Sequence, residues 1–195
     1  MEIKAELVRT LRERTGAPLM DCKKALLEAE GNLDASIDLL RRWGRAGADS
    51  KSGRETKEGR VASYIHHDGK KGVLVEVACE SDFVARSDRF VAFLKDVCLH
   101  IVASRPRYLA REEVPPEVIA KERDIHRDAV AGKPSEVAER ILDGKMKKFF
   151  AECVLLDQGF VRDPSRSITD LLKDLVAAVG ENVVIRRFSR FEIGS

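Results

Sequence analysis

Val73-Leu74-Val75-Glu76-Val77-Ala78-Cys79, followed at once by Glu80-Ser81-Asp82-Phe83-Val84-Ala85-Arg86, is the passage on which the fold turns. Valines at every second position read as a strand with one face in a core. The apolar period becomes helical only near Ser87, so the spacing places 80–86 in the connection between a strand and a helix. Connections normally lie at the surface. Phe83 sits in this one beside an acid. A large apolar side chain there either folds back into its own core or is offered to a partner.

Outward from this passage, Val61, Ser63 and Ile65 alternate, Asp68-Gly69-Lys70-Lys71-Gly72 turns, and Val73, Val75 and Val77 return, which predicts a hairpin. Ser87 is placed to cap a helix with Phe90, Phe93, Leu94, Val97 and Ile101 along one stripe, ended by Arg105-Pro106. From about Pro115 to Asp157 the pattern is helical, interrupted at Gly132-Lys133-Pro134. Ile125 and Ala129 serve the first piece; Val137, Ile141, Met146, Phe149, Phe150 and Cys153 serve the second. Asp163-Pro164-Ser165 breaks the chain. Ser167 is expected to cap a helix bearing Ile168, Leu171, Leu172, Leu175 and Val179, closed by Gly180, and 183–191 reads as a strand. Two strands, a helix, a helical excursion, a helix and a strand form an α+β pattern: a small antiparallel sheet with helices on one face.

Residues 1–45 read as three short helices. Ile3, Leu7, Val8 and Leu11 mark the first, which Thr15-Gly16 stops; Pro18 suits the first turn of the second, with Cys22, Ala25, Leu26 and Ala29 on its face. Gly31-Asn32 ends the second, and Asp34 is placed to cap a third carrying Ile37, Leu40 and Trp43. Such short loops predict a compact bundle. From Gly44 to Arg60 no apolar residue exceeds Ala and four glycines occur, so 46–60 reads as a linker with room for some helix, with a nucleic-acid-binding arm as the alternative. The expected organisation is a bundle over 1–45, a linker over 46–60 and an α+β core over 61–195.

The chain has 195 residues, 44% apolar and 35% charged, with 35 basic against 33 acidic side chains and a net charge of +2. This suits a globular protein and disfavours nucleic acid as the main partner. Cys22, Cys79, Cys98 and Cys153 are widely spaced and form no C-x-x-C pair, which reads as reduced core thiols of a cytoplasmic protein. The charged opening Met1-Glu2-Ile3-Lys4 does not read as a secretory signal, and no apolar run approaches a membrane span.

Chemistry is sparse. The glycine-rich nucleotide loops are missing, and His66, His67, His100 and His126 do not fall in metal-ligand spacings, so neither a metal nor a cofactor is expected. No nucleophile comes with a base at a recognisable spacing, so the chain reads as a recognition protein and not an enzyme. A second apolar protrusion is Ala17-Pro18-Leu19-Met20: with Cys22, Ala25 and Leu26 defining the buried face, Leu19 and Met20 either finish the bundle core or meet a partner.

Leu11-Arg12-Glu13-Arg14-Thr15-Gly16-Ala17-Pro18-Leu19-Met20-Asp21-Cys22-Lys23-Lys24-Ala25-Leu26 resembles the amino-terminal signature of the translation elongation factor Ts family. Tyr64-Ile65-His66, then Gly72 to Val77 and Cys79-Glu80-Ser81-Asp82-Phe83-Val84-Ala85, are similar to its second signature, and Gly180-Glu181-Asn182 with Arg186-Arg187-Phe188 match its close. The resemblance implies a guanine-nucleotide exchange factor for elongation factor Tu, bound in GDP-loaded and nucleotide-free forms. It implies a ubiquitin-associated-like bundle docking through Leu19 and Met20. It also implies that the Ser81, Asp82, Phe83, Val84 element approaches the partner's Mg²⁺ site. Where the family usually has Thr, Ser81 keeps the hydroxyl and lacks the methyl. The length leaves room for one core subdomain, which points to a homodimer through exposed sheet edges such as 183–191. A ubiquitin-type adaptor would explain the bundle alone, and an RNA-binding translation protein would use Arg186, Arg187 and Arg190.

Overall fold

The computed structural model describes residues 3–127, 130 and 132–194, the side chains of Arg45 and Ala46 excepted. Ala129, assigned above to an apolar helical face, lies outside them.

The bundle comprises α1 (Ala5–Thr15), α2 (Leu19–Glu28) and α3 (Leu33–Asp49). Val8, Leu11, Cys22, Ala25, Leu26 and Leu39 form its core, edged by Ile37, Leu40 and Trp43. Gly16 closes α1 in the left-handed region at φ +67°, its N–H donating to Arg12 O at 2.6 Å. Pro18 stands just outside α2, at its N-cap position, in an extended conformation. The cap of α3 is Asn32 rather than Asp34: its Oδ1 accepts from Ala35 N–H at 3.0 Å.

α3 runs on to Asp49, through residues whose composition had read as linker. At Gly44 smallness serves packing. A Cβ on Gly44 would lie 2.8 Å from Ala177 Cβ, Ala48 is buried, and Lys173 Nζ meets Asp49 Oδ1 at 2.7 Å. The connection that remains is tied as well: the Asn182 amide donates to Ser52 O and Arg54 O, and Arg186 to Thr56 Oγ1.

Among the described residues the main sheet has three strands in the order β1 (Glu58–Ile65), β2 (Lys71–Cys79), β5 (Val183–Glu192), so β2 is central. The hairpin turns at Gly69, φ +66°, with Asp68 Oδ1 accepting from Lys70 N–H at 2.8 Å. Val73, Val75 and Val77 are buried as the central strand requires. On β1 the alternation is present, but Val61 and Ile65 are on the open side, as is Leu74 on β2.

α4 (Asp82–Arg86) and α5 (Asp88–Ser104) follow β2, and Phe90, Leu94, Val97 and Ile101 are buried along α5. Ser87 Oγ accepts from Phe90 N–H at 3.3 Å, the expected cap. α6 (Pro116–Ile125) and α7 (Ser135–Cys153) form the excursion around Val114, Met146, Phe149, Cys153 and Val154. The stretch at 163–165, expected as a plain break, belongs to a second small sheet in which β3 (Gly159–Phe160) pairs antiparallel with β4 (Asp163–Ser167). α8 (Ile168–Val179) then leads through Gly180, φ +79°, to β5. The chain divides into two compact units. Met1–Val61, Glu76–Leu94 and Asp170–Arg186 make one; Ala62–Val75, Lys95–Thr169 and Arg187–Ser195 make the other.

In the second unit His100 is wholly buried. Val161 N–H donates to its Nδ1 at 3.2 Å, which leaves the ring proton on Nε2, facing Gln158 Oε1 at 2.9 Å. Burial lowers its pKa, against the opposing pull of the Gln158 hydrogen bond. The unfolded chain takes up this proton near the ordinary value of 6.5 and the folded chain only below it. Stability from this group is therefore full above 6.5 and lost as pH falls through the folded value. The urea midpoint is expected to drop between pH 7.5 and 5.5, and less steeply in His100→Gln; equal slopes in the two proteins would exclude this account.

Candidate functional site

Ser81 decides the geometry after β2. Its backbone is extended (φ −126°, ψ 154°), and its Oγ accepts from Val84 N–H at 3.3 Å, which starts α4 at Asp82. Thus 82–86 is one short helix and not the connecting loop that apolar spacing suggested. The same hydroxyl donates to Glu181 Oε1 at 2.6 Å, and Ser81 N–H donates to Glu181 Oε2 at 3.0 Å. Ser81 O accepts from Cys79 Sγ and from Ala85 N–H.

Glu80 completes the foundation. Its Oε1 accepts from Asn182 N–H at 2.5 Å, with Arg54 Nη1 3.5 Å away. The residues between α8 and β5 thereby hold both Glu80 and Ser81 by charge-assisted hydrogen bonds, which are the stronger kind. Apolar periodicity could not assign this role to Glu181, since a lone acid after a glycine carries no period. The signal available was the polar triplet Gly180-Glu181-Asn182 wedged between a helix and a strand.

Of the four expected site residues, Ser81 and Val84 face inward and hold the element, Val84 being 4% exposed, as is Ala85. Asp82 and Phe83 face out. Phe83 is 81% exposed, which removes the reading in which it folds back into its own core. Asp82 Oδ2 pairs with Arg86 Nη2 at 3.0 Å across one turn, an exposed pair that adds little stability and leaves the carboxylate accessible. Cys79 beneath is buried, and burial, helped by the Glu181 charge, raises its pKa, so its thiol is unreactive.

At the first turn of α2, Leu19 is 50% and Met20 71% exposed, while Cys22, Ala25 and Leu26 are fully buried. The bundle core is therefore complete without Met20. Within the turn, Thr15 Oγ1 donates to Leu11 O at 2.7 Å and accepts from Ala17 N–H at 3.3 Å.

Among the described residues no three His, Cys, Asp or Glu side chains are grouped to hold a metal ion, and no helix is long and apolar enough to cross a membrane. The arrangement presents two sets of exposed side chains. It offers an aromatic ring and a carboxylate on a braced helical turn, and a separate aliphatic pair on the bundle.

A family model described as elongation factor TS matches residues 50–195. The bundle, outside that match, is covered by whole-chain relatives. The elongation factor Ts of Caldanaerobacter subterraneus subsp. tengcongensis is 50% identical over 98% of this chain and 97% of its own length. That of Geobacter sulfurreducens is 50% identical over 100% of this chain and 91% of its own, and that of Fervidobacterium nodosum 48% identical over 100% of both. With a braced, outward-facing Phe83 and matches running from end to end, the chain belongs to the elongation factor Ts family.

Proposed function

We propose that this chain is a guanine-nucleotide exchange factor for elongation factor Tu, working in the cytoplasm without covalent chemistry and without a cofactor of its own. Phe83 enters the partner's apolar packing near its Mg²⁺ site and loosens the hold on GDP, so that GTP can rebind. The observation that carries this is the exposure of Phe83 on a helix fixed by Val84, Ala85 and the Ser81–Glu181 hydrogen bonds. An exposed ring on a flexible loop would spend binding energy on ordering itself; here the ordering is done when the protein folds.

The energetics assign a role to the bundle. A thousandfold faster release needs a barrier lower by about 4 kcal/mol, and burying one Phe side chain yields about 2–3 kcal/mol. Docking of Leu19 and Met20, both exposed in the free chain, supplies additional binding energy that holds the complex while Phe83 acts. Linkage closes the cycle: a factor that weakens nucleotide binding is itself weakened to the same extent when nucleotide returns. Fluorescent GDP bound to purified elongation factor Tu is expected to dissociate far faster when this protein is added; an unchanged rate would refute the reading.

A homodimer is part of the same proposal. Ile65, Leu74, Phe191 and Ile193 are all exposed and surround a groove of about 550 Å³ between the hairpin turn and the end of β5. An apolar surface of this kind on a sheet suits a second copy of itself. Sedimentation is expected to give twice the 21.8 kDa chain mass, and Phe191→Asp to give the single chain; a monomeric wild type at micromolar concentration would end this part.

A further inference from the structure

The turn that joins α1 to α2 is met by a side chain from a distant part of the sequence. Arg89, in the first turn of α5, reaches Thr15 O with Nη1 at 3.5 Å. Its guanidinium lies over the bare α-carbon of Gly16: a Cβ there would be 1.7 Å from Arg89 Nη2 and 2.3 Å from Cζ. Gly16 is required for φ +67°, and its missing Cβ leaves the space that the Arg89 guanidinium occupies. Thr15 O belongs to the last turn of α1, where free carbonyls and the helix dipole favour a cation.

Neither element needs Arg89 for its own shape. Gly16 N–H already closes α1 on Arg12 O, and Ser87 already caps α5. Arg89 is exposed, so it adds little to the core. What it does is join two places. Gly16 stands next to the turn that carries Leu19 and Met20, and Arg89 follows directly on α4, which carries Asp82 and Phe83. The far end of the bundle is fastened independently, by Gly44 against Ala177 and by Lys173 with Asp49.

We infer that Arg89 is a positioning residue: it clamps the α1–α2 turn to the α4–α5 corner so that both partner-facing pairs are presented in one fixed arrangement. Without the clamp the turn pivots about the fastening at α3 and α8, and the partner must order it on binding. The loss then falls on affinity and not on the rate of release once bound. This rests on the exchange reading above.

The test uses the full chain, with GDP release from elongation factor Tu measured against factor concentration and amide hydrogen exchange measured on the factor alone. In Arg89→Ala the melting temperature is expected to stay at the wild-type value while residues 15–20 exchange faster. The concentration for half-maximal stimulation rises about fivefold and the saturating rate stays within about twofold. Arg89→Lys, which keeps a cation for Thr15 O, restores most of the loss. In a chain already carrying Leu19→Ala and Met20→Ala, removing Arg89 adds nothing. Unchanged half-saturation overturns the inference. So does the same fivefold loss in the Leu19→Ala, Met20→Ala background, which would mean that Arg89 itself touches the partner. A wild-type chain that leaves GDP release unaccelerated refutes the exchange reading instead. Hydrogen exchange then decides the clamp alone, and unaltered exchange at 15–20 in Arg89→Ala overturns it.

Discussion

Phe83→Ala is expected to lower the saturating rate of GDP release by about 30- to 150-fold, the rate equivalent of losing about 2–3 kcal/mol of Phe burial in the transition state. The same substitution leaves the factor as stable as the wild type, because the ring is 81% exposed and contributes little to its own fold. The combination is diagnostic. A core phenylalanine such as Phe90, fully buried on α5, would lose several kcal/mol of stability on truncation and lose activity by unfolding. For Phe83 the activity should fall while the thermal and urea transitions stay in place. Phe83→Leu, which keeps an apolar wedge of smaller reach, should fall between the two. If release from elongation factor Tu proceeds at the wild-type rate with Ala at 83, the wedge is not what opens the nucleotide site.

Sequence pattern carried the fold wherever burial is one-sided and long. The valines of β2, the stripe of α5 and the turn at Gly69 are such places, and the structure has each where the spacing put it. Elsewhere it said less, for distinct reasons. α4 has five residues, too few for a 3.6 period to register, and only the Ser81 cap announces it. Past Gly44 the small residues read as a linker with room for some helix; α3 continues to Asp49, and Gly44 lets it touch α8. β3 has two residues, shorter than any alternation. Val61 and Ile65 have the right period on the open face, since period alone does not say which side is the core.

The candidate site shows the same division. Its outward residues were visible as apolar side chains in places where apolar side chains are unusual. Its supports were not, because Glu80, Glu181 and Asn182 act through polar contacts about a hundred positions or more apart in sequence. Hydrogen bonds of that span leave no periodic trace. The signatures hold Ser81 and Glu181 in separate motifs; the structure joins them by two bonds from one carboxylate to one residue.

Glu181→Ala is the second large effect. It strips Ser81 of the acceptor for both its N–H and its hydroxyl, at 3.0 and 2.6 Å. Hydrogen bonds to a charged group are worth about 1.5–3 kcal/mol each, and water replaces part of that at a half-buried position. A stability loss of about 2–3 kcal/mol is therefore expected, together with a fall in exchange of about tenfold or more, since α4 loses its brace while Phe83 itself is untouched. Glu181→Gln retains one acceptor and should sit midway. Ser81→Ala removes the hydroxyl bonds but keeps the backbone one. The cycle built from Ser81→Ala and Glu181→Ala should then show a coupling of about 1–2 kcal/mol in urea unfolding, because the two changes delete one shared bond. Additive losses would mean that the carboxylate acts on the fold by some other route. A Glu181→Ala chain with undiminished exchange at a temperature where it is fully folded would show that α4 holds Phe83 in place without it.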